Sequence, residues 1–177
     1  QKAMGLSSRN LSKRVIYALI YGAGNAKMGE IINGTAAQGK KLKEKLFKNL
    51  PALGNLTTAV KEKVLRTNSL RAIDGRILNI RSPHSALNFL LQSCGAIIVK
   101  KATILLHEKL IAKYKYGEDW SMVAHIHDEM QLQVKESLVD EVGKLGVQSV
   151  KETQNEFMLR CPLDAEYKVG RNWAETH

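Results

Sequence analysis

Arg9, Lys13, Tyr17 and Tyr21 recur at steps of four in RNLSKRVIYALIYGAG (9–24). On a helix that spacing makes one slightly slanting stripe. Two cations followed by two aromatic rings suit a nucleoside triphosphate: the cations neutralise phosphates and a ring covers base or sugar. The bland alternative is a solvated basic face beside two half-buried tyrosines. A different chemistry is also on offer, because VIYALIYGAG reads as a strand entering a glycine turn, the opening of a dinucleotide-binding unit. That fingerprint needs G-x-G-x-x-G and an acid about 20 residues on. Here the glycines are Gly22, Gly24 and Gly29, Lys27 holds the third place, and a lysine-rich segment follows. The phosphate-loop pattern G-x4-G-K-[ST] is absent as well. The helix is the better reading.

A second group sits in RSPHSALNFLLQSCG (81–95), where His84, Asn88 and Gln92 again recur at steps of four. Asn and Gln amides both donate and accept. Nucleic-acid minor grooves present acceptors common to all base pairs, so amides there can check pair shape without reading sequence. Leu87, Leu90 and Leu91 are expected to face a core, and the polar residues can equally face water.

The third group is SMVAHIHDEMQLQV (121–134). As one strand it places Met122, Ala124, Ile126, Met130, Leu132 and Val134 on an apolar face with Asp128 among them. Val123, His125, His127, Glu129, Gln131 and Gln133 make the other face. A lone ionised Asp on a buried face is costly. Either the strand breaks at His127–Asp128 into a hairpin turn, or a cation compensates the charge. A turn would lift Asp128 to a sheet's edge and present it to Mg²⁺, which prefers carboxylate and phosphate oxygens. Zinc at His125 and His127, a metal phosphohydrolase built on His127 and Asp128, and a purely structural Asp are alternatives. No further His or Cys has familiar zinc spacing, and the other histidines of a phosphohydrolase are missing.

Placing these groups requires a fold of matching size. The chain has 177 residues, 44% hydrophobic and 25% charged, ordinary values for one good core or two small subdomains. No apolar run reaches the length of a membrane span, and no signal peptide is visible. Cys94 and Cys161 lie far apart in apolar settings, which suggests a reducing, cytoplasmic compartment and no disulfide framework; Cys94 reads as an inert buried thiol. The net charge of +10 is unevenly placed. Residues 1–83 hold 16 Lys/Arg against 4 Asp/Glu, a net of +12, and residues 84–177 hold 11 against 13, a net of −2. A basic half suggests a face that meets a polyanion, although KKLKEKLFK (40–48) can simply be a solvated helix surface.

With three prolines, long helices are possible. Helices are expected over 10–20, 27–37, 38–50 and 55–67. Asp74–Gly75 reads as a hairpin turn before a short strand at 76–80. Ser82–Pro83 reads as a helix start, cap and first position, of a helix to about 114. Strands follow over 121–134, a helix from Ser137 to about 154, and strands over 157–169. The layout is α+β, mostly helical at first and mixed later.

Together, the three groups resemble the C-terminal part of family A DNA polymerases, the DNA polymerase I class, and in particular the replicative polymerases of short-tailed phages. Arg9-x3-Lys13-x3-Tyr17-x3-Tyr21-Gly22 resembles the family's motif B. Arg81-Ser82-Pro83-His84 with Asn88 and Gln92 resembles the phage-type minor-groove segment. His127-Asp128-Glu129 resembles motif C, and Gly170-x-Asn172-Trp173 resembles the family's ending. The resemblance implies a fingers subdomain over 1–76 and a distal palm over 77–177, with a motif C hairpin and C-terminal helix and strands. It implies that Arg9, Lys13 and Tyr17 bind the dNTP, with Lys13 protonating the leaving pyrophosphate. Tyr in place of Phe at position 17 implies weak discrimination against dideoxynucleotides. Tyr21, Arg81, His84, Asn88, Gln92 and His127 would contact primer-template DNA. Asp128 would bind Mg²⁺, with Glu129 accessory, and two ions would serve the assembled site.

Ala18 stands where the phage family often has Gly. The family's second metal-binding carboxylate belongs to motif A, well before motif B, and no other Asp here has a motif A-like context. One carboxylate leaves two divalent ions under-coordinated. The expectation is a split or fragmentary polymerase, inactive alone, whose partner polypeptide supplies motif A, the thumb and an exonuclease if there is one. If phage-encoded, it would act in a bacterial cytoplasm. The alternative is a non-catalytic DNA-binding module derived from such an enzyme.

Overall fold

The computed structural model describes residues 8–176. It divides into two compact units, one up to Gln92 and one from Ser93.

The first unit opens with α1 (Arg9–Ile20), α2 (Asn25–Ile31), α3 (Ala36–Asn49) and α4 (Pro51–Thr67). Ser8 caps α1 by accepting from the Leu11 amide, and Ser12, Val15 and Leu19 form its buried face. The helix stops at Gly22, whose φ of +77° is left-handed. The Gly22 amide bonds the Leu19 carbonyl and the Ala23 amide reaches back to Ala18, the paired bonds of a glycine-terminated helix. Of the glycines that suggested a nucleotide loop, Gly22 is therefore a helix stop, Gly24 is the N-cap of α2 and Gly29 lies within α2. The helix expected over 27–37 is two elements. Asn33 takes a left-handed φ of +53° and ends α2, and a Thr35–Gln38 capping box starts α3.

The backbones of α2 and α3 touch through glycine. A Cβ on Gly39 would lie 2.1 Å from the Asn25 carbonyl oxygen and 2.5 Å from the Gly29 nitrogen. Alanine at position 39 raises helix propensity by about 1 kcal/mol, but neither backbone atom can yield. Gly39→Ala is expected to lose on the order of 1–3 kcal/mol net. Gly95→Ala, also inside a helix but with nothing within 4 Å of the new Cβ, is expected to be neutral or mildly stabilising. Denaturant unfolding of the two variants checks the contrast. Val15, Leu19, Met28, Leu42 and Leu46 make the core these helices share.

A hairpin follows, β1 (Ser69–Arg71) paired antiparallel with β2 (Ile77–Asn79), Leu70 opposite Leu78. Its turn holds Gly75 at φ +88°. The Asp74 carboxylate takes the Arg76 Nε at 2.6 Å, which holds its pKa below the usual range. Val60, Val64, Leu70, Ile80 and Ala86 form the core beneath it. The boundary expected at 76/77 falls between these two paired strands, because the ladder ties 77–79 to 69–71.

The long helix α5 (Ala86–Ile111) carries the chain from the first unit into the second. It starts later than the Ser82–Pro83 signal suggests. The Ser85 amide and hydroxyl both bond the Ser82 carbonyl, so 82–85 form a tight turn, and the Phe89 amide then bonds Ser85. By length and composition alone α5 is apolar enough to cross a membrane, contrary to the sequence expectation. Scattered Asn88, Gln92 and Ser93 break the run by eye but not its average. Leu106 and Leu110 enter the second unit's core.

That unit continues with β3 (Trp120–Ile126), β4 (Glu129–Val134), a 3₁₀ turn at Glu136–Leu138, α6 (Val139–Glu156) and the short α7 (Trp173–Thr176). Trp120, Leu106, Leu110 and Val142 centre its core, with Met122, Met130, Leu132 and Val134 packed against them. Lys109 ties α5 to α6 through Glu152 at 2.5 Å and Ser149 at 3.3 Å. The strands expected over 157–169 do not form, since no strand among the described residues pairs with this segment. Instead it crosses α6, where the Tyr167 ring fills the space a Cβ on Gly143 would need. Cys94 is half-buried, and burial with the Cys161 charge raises its pKa, so it stays a thiol. Cys161 is exposed, not apolar in setting.

Candidate functional site

In the first unit α1 turns its expected stripe to solvent. Arg9 and Lys13 are exposed, and Tyr17 and Tyr21 are 51% and 55% exposed. This face lies opposite Ser12, Val15 and Leu19. Lys13 Nζ sits 5.7 Å from the centre of the Tyr17 ring, within cation–π range. Neither cation pairs with a described carboxylate, which leaves both charges available to an anion.

The second group is brought to the end of this helix. Gln92 Nε2 donates to the Tyr21 hydroxyl at 2.9 Å across 71 residues of sequence. A Cβ on Gly22 would meet the His84 carbonyl oxygen at 2.4 Å, so the 82–85 turn packs on the stop of α1. Arg81, His84 and Gln92 are exposed, and Asn88 is half-buried with a buried Oδ1 that has no hydrogen-bond partner among the described residues. Leu87 faces the core as expected and Leu90 packs on it, but Leu91 is 39% exposed.

In the second unit β3 and β4 form a hairpin whose two-residue turn is His127–Asp128. His127 takes φ +53°, the left-handed conformation such turns demand. Of the sequence alternatives, the turn is the one adopted. It changes the faces, because Ile126 now lies opposite Glu129 and Ala124 opposite Gln131. A bulge at Val123 then sets Met122 opposite Leu132 and Trp120 opposite Val134. Met122, Met130, Leu132 and Val134 keep the core, while Ala124 and Ile126 side with Glu129 and Gln131, contrary to the one-strand reading. Asp128 is exposed at the tip, and its carboxylate has no hydrogen bond or ion pair among the described residues. Glu129 accepts a short hydrogen bond from Gln131.

A carboxylate standing free at a turn fits a hard divalent cation. Mg²⁺ is usually held by one or two carboxylates together with phosphates and water, and Asp128 with its neighbour Glu129 suits that pattern. Among the described residues no cluster of three or more metal-ligating side chains occurs.

Two participants escaped the sequence. Lys43 donates to the Ala23 carbonyl at 2.9 Å and ties α3 to the stop of α1; in a lysine run nothing marks it. Gln131 holds Glu129, and its only trace is the period of two that puts both on one strand face.

A sequence model described as DNA polymerase family A matches residues 1–175. The chain belongs to DNA polymerase family A. The DNA-directed DNA polymerase of Enterobacteria phage T3 is 34% identical over 195 residues, covering all of this chain and 28% of the phage protein. That of Escherichia phage T7 is 33% identical over 198 residues, again covering 28% of its length. This family A chain therefore spans under a third of the relatives it matches. In solved structures, the Pol1 polymerase domain of M. smegmatis, in complex with DNA primer-template and dNTP, superposes over 95% of this chain and 31% of its own. The TM-score is 0.78 at 20% identity. The helices and small antiparallel hairpins match the fingers and palm portion of a family A polymerase.

Proposed function

We propose that this chain is the fingers and distal palm of a DNA-directed DNA polymerase that adds dNTPs to a primer 3′-hydroxyl. The observation that carries the reading is Asp128, a free carboxylate at a hairpin tip in a family A chain. Arg9 and Lys13 hold the triphosphate, and Tyr17 stacks on the incoming nucleotide. Tyr21 faces the template base. Arg81, His84, Asn88 and Gln92 probe the primer-template minor groove, and His127 lies by the primer end. The primer hydroxyl attacks the α-phosphate, the new P–O bond forms, and the bond to pyrophosphate breaks. Lys13 donates a proton to that leaving group. Asp128, with Glu129 accessory, would hold Mg²⁺, which would supply charge neutralisation to the reacting phosphate. A complementary polypeptide supplies the second carboxylate, together with the thumb. The setting is a cytoplasm, a bacterial one for a phage-encoded enzyme.

Primer extension by this chain, with and without the complementary polypeptide of a family A polymerase, tests the proposal. Extension is expected only on mixing. Salt-sensitive DNA binding without extension in either condition is the result that would establish a non-catalytic binding module instead.

A further inference from the structure

The α1 stripe uses a small part of the first unit's positive charge. On α3, Lys41, Lys45 and Lys48 recur at i, i+4 and i+7, all exposed and turned away from buried Leu42 and Leu46. None of the three pairs with a carboxylate among the described residues. Glu44, the one acid on the helix, is engaged by Lys40 at 3.9 Å. On α4, Lys61, Lys63 and Arg66 add exposed cations around a single Glu62. The crowding is felt within the unit: burial, and then the nearby Lys61, lower the pKa of Lys43. Isolated like charges at helical spacing repel, so the arrangement gains most from a polyanion. No aromatic side chain interrupts the stripe, as suits a partner gripped by its phosphates and not by its bases.

Position selects which polyanion. Through its bond to the Ala23 carbonyl, Lys43 fixes α3 to the residue two beyond Tyr21. Lys41 to Lys48 spans about 10 Å of helix, the scale on which a strand presents two or three phosphates. We propose that the Lys41–Lys45–Lys48 stripe binds the phosphates of the uncopied template strand, ahead of the position where Tyr21 meets the template. This rests on the polymerase reading above.

Fluorescence anisotropy over a salt series tests it with this chain, unaltered and as Lys41→Gln/Lys45→Gln/Lys48→Gln. The two probes are a blunt hairpin duplex and the same duplex with a long single-stranded template overhang. The exposed substitutions leave the fold intact, checked by circular dichroism. With the unaltered chain, the overhang is expected to tighten binding and steepen the log–log salt slope by about 2, three contacts at roughly 0.7 each. The triple variant loses that increment and binds the blunt duplex as before. An overhang that adds nothing, or an increment the variant keeps, overturns the proposal. So does poly-glutamate binding that matches the overhang's and vanishes in the variant, which would make α3 a dock for an acidic protein. If the increment depends on the lysines but mixing with the complementary polypeptide gives no extension, single-strand binding stands and the catalytic reading alone falls.

Discussion

Asp128→Asn is expected to reduce primer extension by the assembled enzyme about a thousandfold or more while leaving the chain folded. Asn is nearly the same size as Asp and is equally at home in a turn. Asp128 is exposed and makes no described bond that Asn would break, so the stability change should stay within about 0.5 kcal/mol. What is lost is the negative charge. A divalent ion's transition-state stabilisation amounts to several kcal/mol, and about 4 kcal/mol corresponds to a factor of roughly a thousand. Steady-state extension read beside a thermal melt separates the two effects. Near-normal extension by a folded variant would remove Asp128 from the metal site. Glu129→Gln should cost less, because Glu129 already shares its carboxylate with Gln131 and is cast as accessory.

The second large effect is on the fold. Gly22→Ala places a Cβ 2.4 Å from the His84 carbonyl oxygen at a residue whose φ is +77°. The left-handed conformation costs a non-glycine residue about 1–2 kcal/mol, and a backbone clash adds about 1–3 kcal/mol. The sum, on the order of 3 kcal/mol, lowers the melting temperature by about 10 °C or more in a unit of this size. Gly24→Ala is the control: nothing lies within 4 Å of its Cβ and its φ is ordinary, so its cost should stay under about 1 kcal/mol. Equal melting of the two variants would show that the 82–85 turn does not rest on the stop of α1. Relief of the clash by moving that turn would also part Gln92 from Tyr21. Extension through mismatched primer ends should then change more than the melt alone predicts.

The stripe of α1 was legible because a step of four is a surface row on any α-helix, and a solvent-facing row needs no partner to define it. The turn at His127–Asp128 was half legible. A charged residue in the middle of an apolar alternation announces a break, but the register after the break does not follow from that. One extra residue at Val123 reverses which side chains of β3 face the core, and nothing in SMVAHIH marks it. The helices were legible from their periodicity more than from their caps: the Ser82–Pro83 signal leads into a turn and α5 starts at Ala86, and α2 ends early because Asn33 adopts a conformation that its type permits but does not require. The segment 157–169 has β-forming residues, yet a strand exists only where another strand completes its ladder.

By itself the sequence determined the chemistry on offer and the family. Types and spacings along single elements encode a cation–aromatic helix face, an amide ladder and an acid at a strand break, since these depend only on local periodicity. Tertiary structure alone decided which distant pieces meet. Gln92 reaches Tyr21, the His84 carbonyl rests on Gly22, and Lys43 holds Ala23. Such contacts depend on how helices and turns pack against one another, and packing is a property of the assembled core that no local pattern specifies.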